Sequence, residues 1–334
     1  MKKTILIIFA VLMAASCEKF IDLSKTGPEK MLVVNGNLVS GDTLHTVSLS
    51  WSRFSDVEPV KSAHLECYVN GELAASTEKM EKSDYYAKWR SEIRFKADFK
   101  AGDEVRINVD ADGSHAEAVS KVPEAPVISS VDTTSFRAKD DHGDLTDYWI
   151  TGVRLRDVPG ENNYYRITMS LESLFTARDV APDSGYEEGQ TLSTASRDIY
   201  FENKYESLLY RNIDIGSGDK EYNYYANKYN LFTDASFADG EYTLKLAVDK
   251  DLPQNWPDGF WPSDILTPSE HRWLRFKVLS MSRSSYTYMN AYAFDLSDQS
   301  DWSIIGEVPY PSNVKGGTGM VSIMNAATYD LPLD

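Results

Sequence analysis

Between residues 31 and 122 the chain alternates. In Val105, Ile107 and Val109 every second side chain is apolar and its neighbours are polar. At that period a strand turns one face to a core and the other to water. The same spacing, in short runs divided by turn residues, predicts strands at 31–39, 46–54, 63–69, 86–95, 105–111 and 115–122. Asn70-Gly71 and Asp112-Gly113 are hairpin dipeptides, since both central positions of such a turn need positive φ. Six or seven strands in this length predict an immunoglobulin-like β-sandwich over residues 31–124.

The phrase VPEAPVISSVD, residues 122–132, is a proline-punctuated joint and marks the boundary to a larger β-domain, 125–334. Further strands are predicted at 127–136, 148–158, 164–175, 197–205, 242–248, 272–281 and 320–325. The fold class is therefore all-β, two sandwich-type domains, with one exception. From Ser284 or Ser285 as cap, Met289, Tyr292, Ala293 and Leu296 recur at helical spacing, so one helix over about 284–297 packs on the sheet. Polar stretches at 177–196, 212–227 and 252–269 read as loops.

The N-terminus says where such a fold would be held. Lys2 and Lys3 precede an apolar run from Ile5 to Met13, and Ala14, Ala15 and Ser16 lead straight into Cys17. That is the layout of a secretory signal, 1–16, and the apolar run is well short of the roughly 20 residues that span a bilayer. Small residues running into a cysteine resemble the bacterial lipobox, in which the thiol is acylated. Cys17 is then the lipid attachment point and 17–30 a tether. The lipid chains would supply stable anchoring to the membrane. With 51 acidic against 34 basic residues the net charge is −17, and it becomes −19 once residues 1–16 and their two lysines are removed. Such a charge excludes nucleic acid as a partner. Cys67 is the second of only two cysteines, and it lies on the apolar face of its strand with Ala63, Leu65 and Val69, as a core residue.

Several phrases resemble the Bacteroidota lipoproteins grouped as domain of unknown function 4249. They are CEKFIDL (17–23), MLVVNGNLV (31–39), YNLFTDASFADGEYTLKL (229–246), a strand running into a tyrosine-rich helix (279–296) and YPSNVKGGTGMVSIMNA (310–326). The last, with its Ser-Asn-x-x-Gly-Gly phrase before a final strand, is the most specific. Glu18 and Asp22 after Cys17 are similar to the acidic cluster of surface-exposed lipoproteins. The resemblance implies an outer-membrane protein facing the cell surface. It also implies a TonB-dependent transporter as partner and a role in nutrient uptake.

Signatures of common enzymes are missing: no G-x-S-x-G, H-E-x-x-H, Walker loop or paired C-x-x-C occurs. The expected protein is not an enzyme and carries no cofactor. A hydrolase of unfamiliar design is the remote alternative, and a structural or adhesive surface protein the nearer one. Gly316, Gly317 and Gly319 read as a tight bend into the last strand rather than a phosphate cradle. Asp110, Asp112 and Glu117 belong to a hairpin, whereas Asp140, Asp141, Asp144 and Asp147 crowd one loop and could hold calcium. Trp256, Phe260 and Trp261 gather in a loop, where they either fold inward as a hydrophobic plug over the second domain or stand exposed as a contact site for a glycan, peptide or protein. Tyr224 and Tyr225, in EYNYYANKYN (221–230), add a second aromatic group beside asparagines.

Overall fold

The computed structural model describes residues 30–52, 57–82, 91–139, 144–160, 162–180, 185–203, 205–210, 227–253, 267–295 and 310–333. Its first strands are β1 (Met31–Val39), β2 (His45–Ser52), β3 (Val57–Pro59), β4 (Ala63–Val69), β5 (Glu72–Thr77), β6 (Met80–Lys82), β7 (Ser91–Phe95), β8 (Glu104–Ala111) and β9 (Ser114–Lys121). There follow β10 (Val127–Lys139), β11 (Leu145–Arg156), β12 (Tyr164–Arg178), β13 (Thr191–Asp198), β14 (Leu231–Thr233), β15 (Glu241–Asp249) and β16 (Thr267–Met281). Helix α1 (Arg283–Asp295), β17 (Val314–Lys315) and β18 (Val321–Pro332) close the chain.

Alternation in sequence becomes alternation in burial. On β8, Val105, Ile107, Val109 and Ala111 are buried while Arg106 and Asn108 lie on the other face. The hairpin dipeptides turn as expected, with positive φ at Asn70 and Gly71 between β4 and β5, and at Asp112 and Gly113 between β8 and β9.

These strands form three sheets. One long sheet runs β13-β12-β16-β18-β1-β2-β7-β6, with β14 beside β12 and β3 beside β2. A second runs β17-β9-β8-β4-β5, and a third β10-β11-β15. The second covers one half of the long sheet through a core that includes Leu32, Val34, Leu49, Leu65, Ile107 and Ile323. The third covers the other half through Val153, Leu155, Ile167, Leu171, Leu246 and Phe276. The chain is all-β, as expected, and its two sandwiches share the long sheet.

That sharing departs from a division at residue 124. Val314, Val321 and Ile323, from the far end of the chain, belong to the first core. β18 lies parallel to β1 (Gly36 opposite Val321, Val39 opposite Met324), and β17 pairs with β9. The physical reason is an edge. β2 satisfies one side of β1, and the other side would expose backbone groups on an apolar strand unless something paired with it. Nor is the proline joint a free linker: Ser280 donates to the Glu124 carbonyl, and Asn325 Nδ2 to that of Pro123 at 3.0 Å.

The Gly-Gly-Thr-Gly phrase makes the crossing. Thr318 N–H donates to Leu32 O at 2.8 Å and its carbonyl accepts from Val34 N–H at 2.9 Å, while Gly36 N–H reaches Met320 O at 3.0 Å. A Cβ on Gly317 would stand 2.4 Å from Leu32 O, and one on Gly319 (φ +111) 2.3 Å from Val34 O. Only glycine lets the two backbones come this close. The bend expected here is present, and it is a clasp.

Three further expectations are corrected. The strand expected at 197–205 is β13, shifted into the expected loop 177–196, because a polar edge strand held only by β12 shows little hydrophobic period. The loop expected over 252–269 gives its last residues to β16, which starts at Thr267. The helix cap is Ser282, not Ser284 or Ser285: its hydroxyl accepts from Ser285 N–H at 3.2 Å, directly after β16 ends. The expected end of that helix at 296–297 lies outside the described residues.

Gly319→Ala should lower stability by about 2–4 kcal/mol, because the strained φ and the clash with Val34 O cannot both relax. Denaturant melts of the two proteins measure it, and an unchanged midpoint would refute the clasp. Cys67 is fully buried, as expected, and burial pushes its thiol from 9.0 to about 11. The folded state thus holds the proton more tightly. Its stabilising contribution is whole below pH 9 and is lost as the pH rises towards 11. Cys67 should resist thiol reagents at pH 8 until the protein unfolds, and Cys67→Ala should flatten the alkaline loss of stability.

Candidate functional site

Helix α1 lies on the face of the long sheet that the two large cores leave open. On β16, Leu274, Phe276 and Val278 point into the second core, whereas Leu279 and Met281 point the other way, to Met289 of α1, Met324 and Val39. β12 splits likewise: Tyr165 and Ile167 are core, so Arg166 faces the helix side.

At the margin of α1 a cavity of about 210 Å³ opens between the helix and the sheet. Its floor is Asn35, Gly36 and Asn37 of β1, with Met320 and Ser322 beside them. Tyrosines wall it. Tyr288 and Tyr292 stand one helical turn apart, ring centroids 6.3 Å and planes 12° apart, and Tyr229 continues the row at 6.3 Å and 13° from Tyr292. The Tyr310 ring packs on Tyr288 from outside that lining, 5.7 Å away. The Arg166 guanidinium sits 5.3 Å from the centre of the Tyr229 ring.

Asn35 ties this wall to the clasp. Its Oδ1 accepts from Met320 N–H at 2.9 Å and from the Tyr288 hydroxyl at 3.3 Å. Burial raises the Tyr229 phenol above its ordinary value, helped by the nearby Tyr292, so it stays a neutral donor and acceptor. Burial likewise lowers the Arg166 guanidinium, though not enough to discharge a group of this basicity. Its Nε–H is buried with no acceptor, and among the described residues no carboxylate pairs with it; Asp198 acts on it only from farther away. The arrangement can meet a small ligand with aromatic surface, phenol hydroxyls, carboxamides and one cation.

Of the residues singled out in the sequence, Cys17, Tyr224, Tyr225, Trp256, Phe260, Trp261, Asp140 and Asp141 lie outside the described residues. Asp144 is exposed. Asp147 accepts from Arg137 through both oxygens, at 3.0 and 3.2 Å, so that carboxylate is already matched by a cation. Among the described residues no three acidic, histidine or cysteine side chains gather as a metal site. Buried acids instead fasten loops to strands. Asp157 accepts from Tyr165 and from Asp239 N–H, and Glu206 from Tyr242 and from Lys245 N–H. No sequence pattern marks Arg166, Asn35 or Tyr288, and helical spacing alone reads Tyr292 as core. Tyr229 lies inside the aromatic stretch 221–230 that the sequence did mark, five residues beyond Tyr224.

A family model described as Domain of unknown function (DUF4249) matches residues 18–330. No curated protein matches the chain.

Asn35→Ala should cost about 1–3 kcal/mol, since the buried Met320 N–H loses its acceptor, whereas Tyr288→Phe should cost no more than about 1 kcal/mol. Equal losses in urea melts of both variants would overturn this ranking of the two bonds.

Proposed function

The chain belongs to the DUF4249 family, and from that premise we propose that it is a lipid-anchored, non-catalytic binding protein of the outer-membrane surface. It works beside a TonB-dependent transporter in nutrient uptake. The observation that carries this reading is the tyrosine-walled cleft, where a half-buried arginine with no carboxylate partner faces a cavity sized for a small ligand. A charge left unmatched in a protein interior is costly unless a ligand completes it. The signal layout ending in Cys17 supports the anchor. The proposed membrane site leaves the sheet faces and the cleft to the aqueous side, joined to the lipid by the tether 17–30. Binding chemistry also fits the donor set: hydroxyls, amides and a guanidinium hold and orient, and none of them is a nucleophile paired with a base.

Two measurements test the reading. Cys17→Ala should move the protein from the membrane fraction to the soluble fraction, because the acyl chains supply its only proposed hold; retention of the unlipidated variant would end the anchor argument. Mild-detergent extraction of the native protein should recover a TonB-dependent barrel in fixed proportion. Recovery of the protein alone, at several detergent strengths, would remove the transporter from the proposal.

A further inference from the structure

We propose that the cleft recognises a terminal hexuronate, a pyranose sugar carrying a carboxylate, with the acid group on Arg166 and the ring against the tyrosines. This rests on the reading of the cleft as the ligand site. Three features narrow the class. The first is charge: in a chain of net charge −17, acidic partners are plentiful, yet among the described residues none pairs with Arg166, and Asp198 acts on it only from farther away. Arg106 makes a similar contact with the ring of Tyr68, at 4.6 Å, and its Nε–H likewise lacks an acceptor, but that tyrosine is engaged by Glu66. Arg166 opens on a cavity instead. A carboxylate is the planar anion that a guanidinium fork matches.

The second feature is size and surface. About 210 Å³ is below the roughly 300 Å³ at which drug-sized pockets begin, and so suits one ring-sized group. Tyr229, Tyr292 and Tyr288 offer near-parallel aromatic surface, suited to a ring with an apolar C–H face and polar edges. Asn35 Nδ2 and the exposed Asn37 amide add donors.

The third feature disfavours a peptide. A peptide bound by strand addition needs an open sheet edge. Here β1 is paired with β2 on one side and β18 on the other, so its backbone is committed along the cleft floor. What remains for a ligand is side-chain chemistry of the kind that reads sugar hydroxyls. The overall negative charge also acts against a long polyanion while one carboxylate meets one local cation, which is why the recognised unit is terminal.

Calorimetry with the full chain in mild detergent tests this, using methyl glucuronide and methyl galacturonide, the matching neutral methyl glucoside and galactoside, and the peptide Gly-Gly-Tyr with free and amidated C-termini. A uronide should bind at least tenfold more tightly than its neutral counterpart. Arg166→Gln should remove that preference, so that acid and neutral sugars bind alike. Should Arg166→Gln fail to fold, Arg166→Lys keeps the charge without the fork, and a preference cut several-fold gives the same reading. Equal affinity for acid and neutral sugars, or a preference that survives both variants, overturns the hexuronate. So does selective binding of the free-carboxylate peptide. Tyr292→Ala separates this failure from a deeper one. If it abolishes binding of a neutral sugar or peptide, the cleft stands as the ligand site and only the hexuronate falls. If no probe's binding responds to Tyr292→Ala, the cleft falls as well.

Discussion

The contact of residues 317–320 with β1 holds the rest together. Thr318 bonds to β1 through both its N–H and its carbonyl, between Leu32 and Val34, and Met320 continues the pairing to Gly36. This puts β18 in parallel register beside β1 and so joins two half-sheets into one. Parallel pairing of segments nearly three hundred residues apart is entropically demanding. It is held by glycines that let backbone meet backbone and by Asn313, whose amide both donates to and accepts from Val321. Val314, Val321 and Ile323 then add apolar burial to the first core.

The cleft inherits its geometry from that crossing. Asn35 accepts from Met320 N–H and from Tyr288, so one carboxamide links the sheet, the glycine phrase and the helix. Ser282 caps α1 as soon as β16 ends, which fixes where Tyr288 and Tyr292 emerge over the sheet. A site resting on paired strands and a capped helix is held more firmly than one on loops. The phrase that most specifically marks the family resemblance, Ser312 to Gly317, is thus the segment that leads into the clasp. In that light its glycines are explained by packing rather than by direct chemistry with a ligand.

Much of the fold was legible in the sequence. β4 could be read to the residue, and both I′ hairpins were marked by their dipeptides, because period-two burial and positive-φ turns are local demands. The less legible strands were those whose stability is borrowed. β5 and β13 are edge strands with mostly exposed or half-exposed side chains, so no alternating core face announces them. The cleft was harder still. Arg166 is one polar residue in a strand whose neighbours alternate, indistinguishable by pattern from any solvent-facing arginine. Tyr292 sits at helical spacing from Met289, which reads as core until one knows that the helix margin overhangs a gap.

By itself the sequence determined the material: an acidic, strand-forming chain with two cysteines and helical spacing beginning near residue 284. Those follow from local physics, namely side-chain period, turn conformation, charge and peptide length. Tertiary structure alone decided that the two sandwiches share a sheet, that the chain's end completes its beginning, and that Arg166, Asn35, Tyr229 and Tyr292 surround one cavity. The reason is separation. These residues come from β1, β12, the approach to β14 and α1, and no local preference records which distant strand edge will be left open for another to fill.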